Sequence, residues 1–399
     1  MKILIMDIGS KKNSLGGELK VAAQLHAKLG KFFDTYYLGY DSPYLERKNL
    51  FLIEREKVIF SKHMHNEVAE NWVIRAGYYF WSGRMYNLGI SRSKLIEIFE
   101  SVKPDIVLSN SIMDFPIIRY MKKRMNFKTI YIDHANLSGK VFDNLLSKNS
   151  LPFTFGSGIM PLGINYMKKK FFRYFDANVA LNLEQKENME KITKKVYHIP
   201  NGITKPKKDE KLINEFLGRF GLKGKFIFLY VGRLFERQKN ISALIKAFAK
   251  VESENAVLVI IGSGPSYNQY INLARGNKKI IFTGALYDDM LNSAYFASKV
   301  FILPSFWEGF SLTILEAASH GLPLILSKPA CPRDFAENKI HIETFDPKNV
   351  DELSVKMKLM LDSKNYIKAK RESEKIAKHF GEENMISNYI SLINLLNKT

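Results

Sequence analysis

Cysteine is nearly missing from this 399-residue chain: Cys331 stands alone. That excludes an intramolecular disulfide and a cysteine-based zinc cluster, and it suits a reducing compartment. No apolar run comes near the ~20 residues that a membrane-spanning helix needs. The opening M-K-I-L-I-M-D-I-G has too short an apolar stretch for a secretory leader and no small-residue cleavage site, so it reads as a first strand. The histidines, among them His63, His65 and His320, form no metal-ligand spacing. The dinucleotide fingerprint G-x-G-x-x-G is absent. Acidic residues are also short, with 40 Asp+Glu against 60 Lys+Arg and a formal charge of +20. Such a surplus suits anionic partners (nucleic acid, phosphorylated ligands or anionic membrane), or it is only a lysine-rich surface.

What the chain has in quantity is short β-rich runs alternating with amphipathic segments. Candidate strands are 2–6, 34–38, 105–109, 129–132 and 178–181, then 226–231, 256–261, 279–282, 299–303 and 323–326. Many are continuously apolar, as strands buried on both faces of a parallel sheet are. Leu19, Ala22, Leu25 and Leu29 recur at helical spacing, as do Ile241, Leu244, Ile245 and Phe248. This β-α alternation, given twice, predicts an α/β protein of two Rossmann-like doubly wound domains. H-I-P-N-G-I-T-K-P-K-K-D, residues 198–209, punctuates the middle with proline and Asn-Gly. The expected division is therefore 1–200 and 201–382, with 383–399 a last helix that has the option of packing back on the first domain. Ligands of such sheets sit beyond the carboxyl ends of the strands.

One strand-turn-helix holds an unusual pair. F-W-E-G-F-S-L-T-I-L-E-A places Glu308 and Glu316 around Gly309 and an apolar run, with a strand at 300–303 and a helix at 312–319. The unbonded amides of Ser311, Leu312 and Thr313 at the helix start favour a diphosphate. Carboxylates beside a phosphate make chemical sense if they hold hydroxyls, such as those of a ribose or hexose. Taken alone, the pair serves equally as a helix-stabilising Glu316 and a solvated Glu308. In Y-V-G-R-L-F-E-R-Q-K-N-I, Gly232 ends a strand and Arg233 and Lys239 follow six apart. They can converge on one diphosphate, with Arg237 assisting, or simply lie at the surface. S-L-G-G-E-L opens the first helix with Gly16 and Gly17, which let an anionic group approach the backbone. G-S-G-P at 262–265 is a strand-end turn. His134, in Y-I-D-H-A-N, ends a strand where it can reach a sugar or can pack structurally. Residues 71–86 and 166–175 mix aromatics with cations, as helices at an anionic membrane do and as helices packed on a sheet also do.

Together, G-R-L-x-x-x-x-K-N, G-S-G-P and L-P-S-F-W-E-G-F-S-L-T-I-L-E-A-A-S-H-G-L-P-L-I-L-S resemble the retaining nucleotide-sugar glycosyltransferases of the glycogen-synthase-like family 4, "glycosyl transferases group 1", type, bacterial polysaccharide members included. The resemblance is dense over about 226–330 and looser before it. It implies the GT-B fold, two domains facing across a cleft. It implies catalytic roles for Glu308 and His134 at the donor sugar. Donor binding falls to Arg233, Lys239, Gly309, Phe310, Ser311, Leu312 and Glu316, the last on the ribose. Gly16 and Gly17 form the phosphate or acceptor loop. The implied reaction moves a hexose from a nucleoside diphosphate, with UDP or GDP expected, to a glycan or lipid-linked hydroxyl, with retention and with no metal or other cofactor. Cell-surface polysaccharide synthesis, O-antigen or capsule, is the implied setting. Location is expected in the cytoplasm, leaving open a peripheral contact with anionic membrane at the inner face. Nucleic acid is not an expected partner. Two departures stand out: S-K-P-A-C-P-R-D-F-A-E-N-K-I replaces the commoner glycine-rich loop, and Ser319-His320 replaces a small residue. The competing readings are a sugar-nucleotide epimerase of similar architecture, a basic nucleic-acid-binding protein and a relative that binds without turnover.

Overall fold

Residues 1–8, 17–53, 90–134, 136–138 and 159–398 are described by the structure, a computed structural model. The chain divides into two compact units, residues 1–200 with 386–399 and residues 201–385.

In the first unit β1 (Lys2–Asp7) leads into α1 (Gly17–Leu29), β2 (Asp34–Gly39) and β3 (Leu50–Leu52). After these come α2 (Arg92–Val102), β4 (Ile106–Ser109), α3 (Phe115–Met121) and β5 (Lys128–Ile132). The segment to the unit boundary holds α4 (Ile159–Tyr174), β6 (Ala177–Ala180), α5 (Leu183–Glu190) and β7 (Val196–His198). The seven strands pair in parallel in the order β3-β2-β1-β4-β5-β6-β7.

The second unit begins with α6 (Glu210–Arg219), β8 (Phe226–Val231), α7 (Glu236–Lys239), α8 (Ile241–Phe248) and β9 (Ala256–Ile261). It continues through α9 (Tyr267–Leu273), β10 (Ile280–Gly284), α10 (Asp288–Ala297), β11 (Val300–Leu303) and α11 (Leu312–Ser319). β12 (Leu324–Ser327), α12 (Arg333–Glu337), β13 (Glu343–Phe345), α13 (Val350–Leu359) and α14 (Ser363–His379) follow, and α15 (Glu382–Asn397) ends the chain. Its six strands, also parallel, run β10-β9-β8-β11-β12-β13.

Both sheets thus reverse direction of growth between their first and fourth strands, at β1/β4 and at β8/β11. That reversal is the topological switch point where doubly wound sheets take ligands. β1, β8 and β9 are buried almost throughout, which accounts for their unbroken apolar sequences. The three strands without a strong sequence signal, β3, β7 and β13, are three residues long, and each lies at a sheet edge. Short edge strands present little unpaired backbone and bury only part of their surface, so their sequences carry no long apolar run.

The core of the first unit decides how 166–175 is used. Phe171, Phe172 and Phe175 are buried against Phe115 and Tyr131, with Phe115–Phe171 ring centroids 5.0 Å apart and Tyr131–Phe171 4.8 Å. Each such ring contributes roughly 2 kcal/mol by leaving water, so these aromatics hold the helix to the sheet and are not available to a bilayer. Among the residues of this stretch whose burial is described, Tyr166, Lys169, Lys170 and Arg173 are exposed. The other aromatic-basic stretch, 71–86, lies outside the described residues. Among the described residues no helix is long and apolar enough to cross a membrane.

Candidate active site

At the second unit's switch point the loops after β8 and β11 are laced together. The backbone N–H of Phe306 donates to the Gln238 carbonyl at 2.7 Å, and the Gln238 amide donates to the Trp307 carbonyl at 3.2 Å. Asn240 ends α7 in the left-handed region, φ 52°, and its amide reaches Pro304 O at 3.3 Å and Pro347 O at 2.7 Å. These bonds bring Lys239 to Glu308: Nζ to Oε1 is 2.6 Å, with side-chain exposures of only 14% and 8%. Glu308 is therefore a largely buried, charge-paired group rather than a solvated one. Lys239 is the last residue of α7, a single helical turn.

Arg233 is exposed at the end of the β8 turn, where its carbonyl accepts a hydrogen bond from Tyr230 at 3.1 Å. The G-S-G-P loop props this turn. A Cβ on Gly262 would fall 1.9 Å from Gly232 O, and one on Gly264 would fall 2.3 Å from Leu234 O. Leu234 and Ser266 close the contact, N–H to Ser263 O at 2.9 Å and N–H to Leu234 O at 3.0 Å. The two glycines are required because backbone meets backbone there.

After Gly309 the Phe310 ring is buried against Phe335 and Phe380, and its carbonyl accepts from the Asn201 amide at 3.0 Å. Phe310 thus belongs to this segment through its backbone, while its ring is core. α11 begins at Leu312 as the spacing predicts. Its N-cap residue Ser311 makes no side-chain cap bond; its hydroxyl pairs with Thr313 Oγ1 at 2.9 Å. The first amides of α11, with the helix dipole behind them, are suited to a negatively charged group. Glu316, a turn into the helix, is buried, and Tyr295 of α10 donates its hydroxyl to Oε2 at 2.9 Å. Burial, and next the Glu316 charge, push the Tyr295 hydroxyl well above its usual range, so it remains a donor. His320, at the C-terminal end of α11, stacks on Tyr295 with ring centroids 4.9 Å apart.

The first unit's switch point carries a different chemistry. Gly17 opens α1 and is exposed, whereas Gly16 lies outside the described residues. Asn110, after β4, donates its amide to Glu18 O at 2.7 Å, which turns its Oδ1 toward His134 Nε2 at 2.8 Å. Nε2 must then carry the proton, leaving Nδ1 as an acceptor. Burial lowers the His134 pKa to about 3, so the ring is neutral. In the same unit, sequence reading missed a group of carboxylates that the fold desolvates. Asp114 accepts from Ile8 N at 2.9 Å and from Ser109 Oγ and Ser111 N at 3.0 Å, tying the β1 and β4 loops together. Desolvation, then Asp7, raises Asp114 to about 7. Desolvation, then Asp7, Asp114 and Asp133, raises Glu18 to about 8. The available signal was position: Asp7 is the last residue of β1, Asp133 the first after β5, and Asp114 lies in the turn that follows β4. Among the described residues no three His, Cys, Asp or Glu side chains gather to hold a metal ion.

Comparison with known proteins agrees with this layout. Residues 214–379 match the family model described as glycosyl transferases group 1. Over 312 residues the chain is 26% identical to an uncharacterized glycosyltransferase of Methanocaldococcus jannaschii, covering 74% of this chain and 69% of that protein. It is 36% identical over 147 residues to the UDP-Gal:alpha-D-GlcNAc-diphosphoundecaprenol alpha-1,3-galactosyltransferase of Escherichia coli, a match spanning 33% of this chain and 36% of that one. Among solved structures, Anabaena HepE in complex with UDP and glucose aligns over 99% of both chains with TM-score 0.69 at 15% identity, a likeness of fold. The group 1 match thus spans most of the second unit, and the two parallel sheets are those of the GT-B fold.

Proposed function

We propose that this protein transfers a hexose from a nucleoside-diphosphate sugar to a hydroxyl of a glycan or lipid-linked acceptor, with retention at the anomeric carbon. The observation that carries the reading is the Lys239–Glu308 pair beside the free end of α11, at the switch point of the second sheet. Lys239, Arg233 and the first α11 amides take the diphosphate. Glu316 holds the ribose hydroxyls, and Glu308 lies at the hexose. In the first unit, His134 accepts a sugar hydroxyl at Nδ1. In the transfer the bond from the anomeric carbon to the β-phosphate oxygen breaks, and its electron pair leaves with the phosphate. The acceptor oxygen bonds to the same face of that carbon, and its proton passes to the departing phosphate oxygen. Fixed cations and helix amides stabilise the charge that develops on that phosphate, so the scheme needs no metal ion.

Uridine is the favoured nucleotide, because HepE binds UDP and glucose and the Escherichia coli relative is named for a UDP-galactose donor. That relative's named acceptor, a diphosphoundecaprenol-linked sugar, supports a setting in cell-surface polysaccharide synthesis. A thermal-shift panel of UDP, GDP and ADP with their sugars tests the reading: binding to the native state raises the midpoint by mass action. UDP compounds are expected to raise it, and none of the panel doing so would sink the proposal. Isomerisation of UDP-sugar without an acceptor would instead point to an epimerase.

A further inference from the structure

His320 makes an arrangement that a neutral imidazole cannot satisfy. Its Nδ1 is 2.7 Å from the Glu316 carbonyl oxygen, and its Nε2 is 2.7 Å from Asn292 Oδ1. The carbonyl only accepts. The orientation of Asn292 is set by its own amide, which donates to the Lys207 carbonyl at 2.9 Å and so leaves Oδ1 toward the ring. Turning the amide over would set two oxygens against each other at Lys207. Both ring nitrogens therefore need a proton. Three further features favour a positive ring. It caps the C-terminal end of α11, where the helix dipole is negative. It stacks at 4.9 Å and 25° on Tyr295, and Phe296 meets it with centroids 4.5 Å apart, faces and edges that aromatic rings offer to cations and to one another. The Glu316 carboxylate stands one turn earlier on the same helix.

We propose that His320 is held as an imidazolium and acts as a positioning residue for Glu316. This rests on the ribose-binding reading of Glu316 given above. The ring grips Glu316 from two sides. Its Nδ1–H bonds the Glu316 carbonyl, which also accepts from Ser319 Oγ at 2.8 Å and from the His320 backbone N–H at 3.2 Å. Its face packs on Tyr295, whose hydroxyl holds the Glu316 carboxylate. The groups facing the ring include Asn292, Tyr295 and Phe296 of α10 and Glu316 and Ser319 of α11, with the Lys207 carbonyl on the far side of the Asn292 amide. On the α14 side Lys370 comes closest to the adjoining turn, its Cε 3.5 Å from where a Cβ on Gly321 would lie. In this set Lys370 opposes the charge and Glu316 favours it. A proton held in the native state stabilises below the pH at which free histidine loses it, and that contribution is lost as pH rises through the native value.

The test uses the full chain. Long-range 1H–15N correlation of labelled histidines, assigned through His320→Gln, is expected to show both His320 nitrogens protonated at pH 7.5. A lone-pair shift at either nitrogen overturns the proposal and needs no variant to be active. With UDP as the probe, affinity is expected to fall about tenfold between roughly pH 6.5 and 9, the scale of one charge-assisted hydrogen bond. His320→Gln is expected to bind weakly and without that pH dependence. A wild-type affinity that ignores pH would show that the charge does not reach Glu316. Equal UDP binding by wild type and Glu316→Ala would defeat the ribose reading and with it the relay's target, while the doubly protonated ring would still be seen.

Discussion

Lys239 and Glu308 neutralise each other at 2.6 Å, in surroundings that leave both largely buried. For a diphosphate to take the lysine, part of this pairing has to be given up, and the carboxylate is then released toward the sugar. Glu308→Gln is thus expected to leave UDP affinity unchanged or up to about tenfold tighter while turnover falls by about 100-fold or more, because a competing anion is removed and a group acting on the reacting sugar is lost. Lys239→Met should do the reverse first, weakening UDP binding on the order of tenfold through loss of a charge-assisted contact. Isothermal titration with UDP beside initial rates separates the two. Equal proportional losses in both measurements for Glu308→Gln would show that this carboxylate holds the nucleotide rather than the hexose. His134 follows a different rule. Its ring is neutral with a pKa of about 3, so it should contribute no limb to the rate profile between roughly pH 5 and 9.

At the scale of elements, the β1, β4 and β5 ends gather carboxylates that the fold keeps from water. Glu18 at about 8 and Asp114 at about 7 both lie well above the usual carboxylate range. A carboxyl whose native pKa is raised holds its proton longer in the folded chain than in the unfolded one. Stability is then greatest below the unfolded value and declines as pH rises through the native one. Between about pH 5 and 8 the first unit should lose stability, and Glu18→Gln should remove part of that slope. The expected result is a higher melting midpoint for the variant at pH 8 and little change at pH 5. A variant less stable than wild type at pH 8 would mean that the charged carboxylate is engaged in a favourable contact. Desolvation is the first cause for both groups, with the Asp7 charge next. The strand ends thereby trade stability for a tightly bonded polar junction between the loops after β1 and β4.

For the whole molecule, a charge of +20 raises the encounter rate with any anionic surface. Burial of Phe171, Phe172 and Phe175 removes the apolar face that would turn such an encounter at 166–175 into insertion. Lys169, Lys170, Arg173 and Tyr166 are exposed there and available for adhesion. Sedimentation with vesicles containing about one-third anionic lipid should show binding at low salt that disappears near 0.5 M, where the screening length drops to about 4 Å. Changing the three cations to Gln should weaken it, whereas binding that persists in high salt would require an apolar contact from elsewhere in the chain.

The alternation of unbroken apolar runs with helical spacing was enough to announce two parallel sheets, because strands buried on both faces admit little else. The strand at 300–303 and the helix at 312–319 were legible to the residue for the same reason. β3, β7 and β13 were not, since three residues at a sheet edge have neither the length nor the burial to leave a pattern. Glu308, Glu316, Arg233 and Lys239 could be singled out by residue type and spacing beside predicted strand ends. That Lys239 closes on Glu308, that Tyr295 holds Glu316 and that Asn110 chooses the His134 tautomer could not. Each joins residues from 21 to 69 positions apart. Distances of that kind, and the loss of water that sets the protonation of His134 and Glu18, come into being only when separate strand ends are brought to one edge of a sheet.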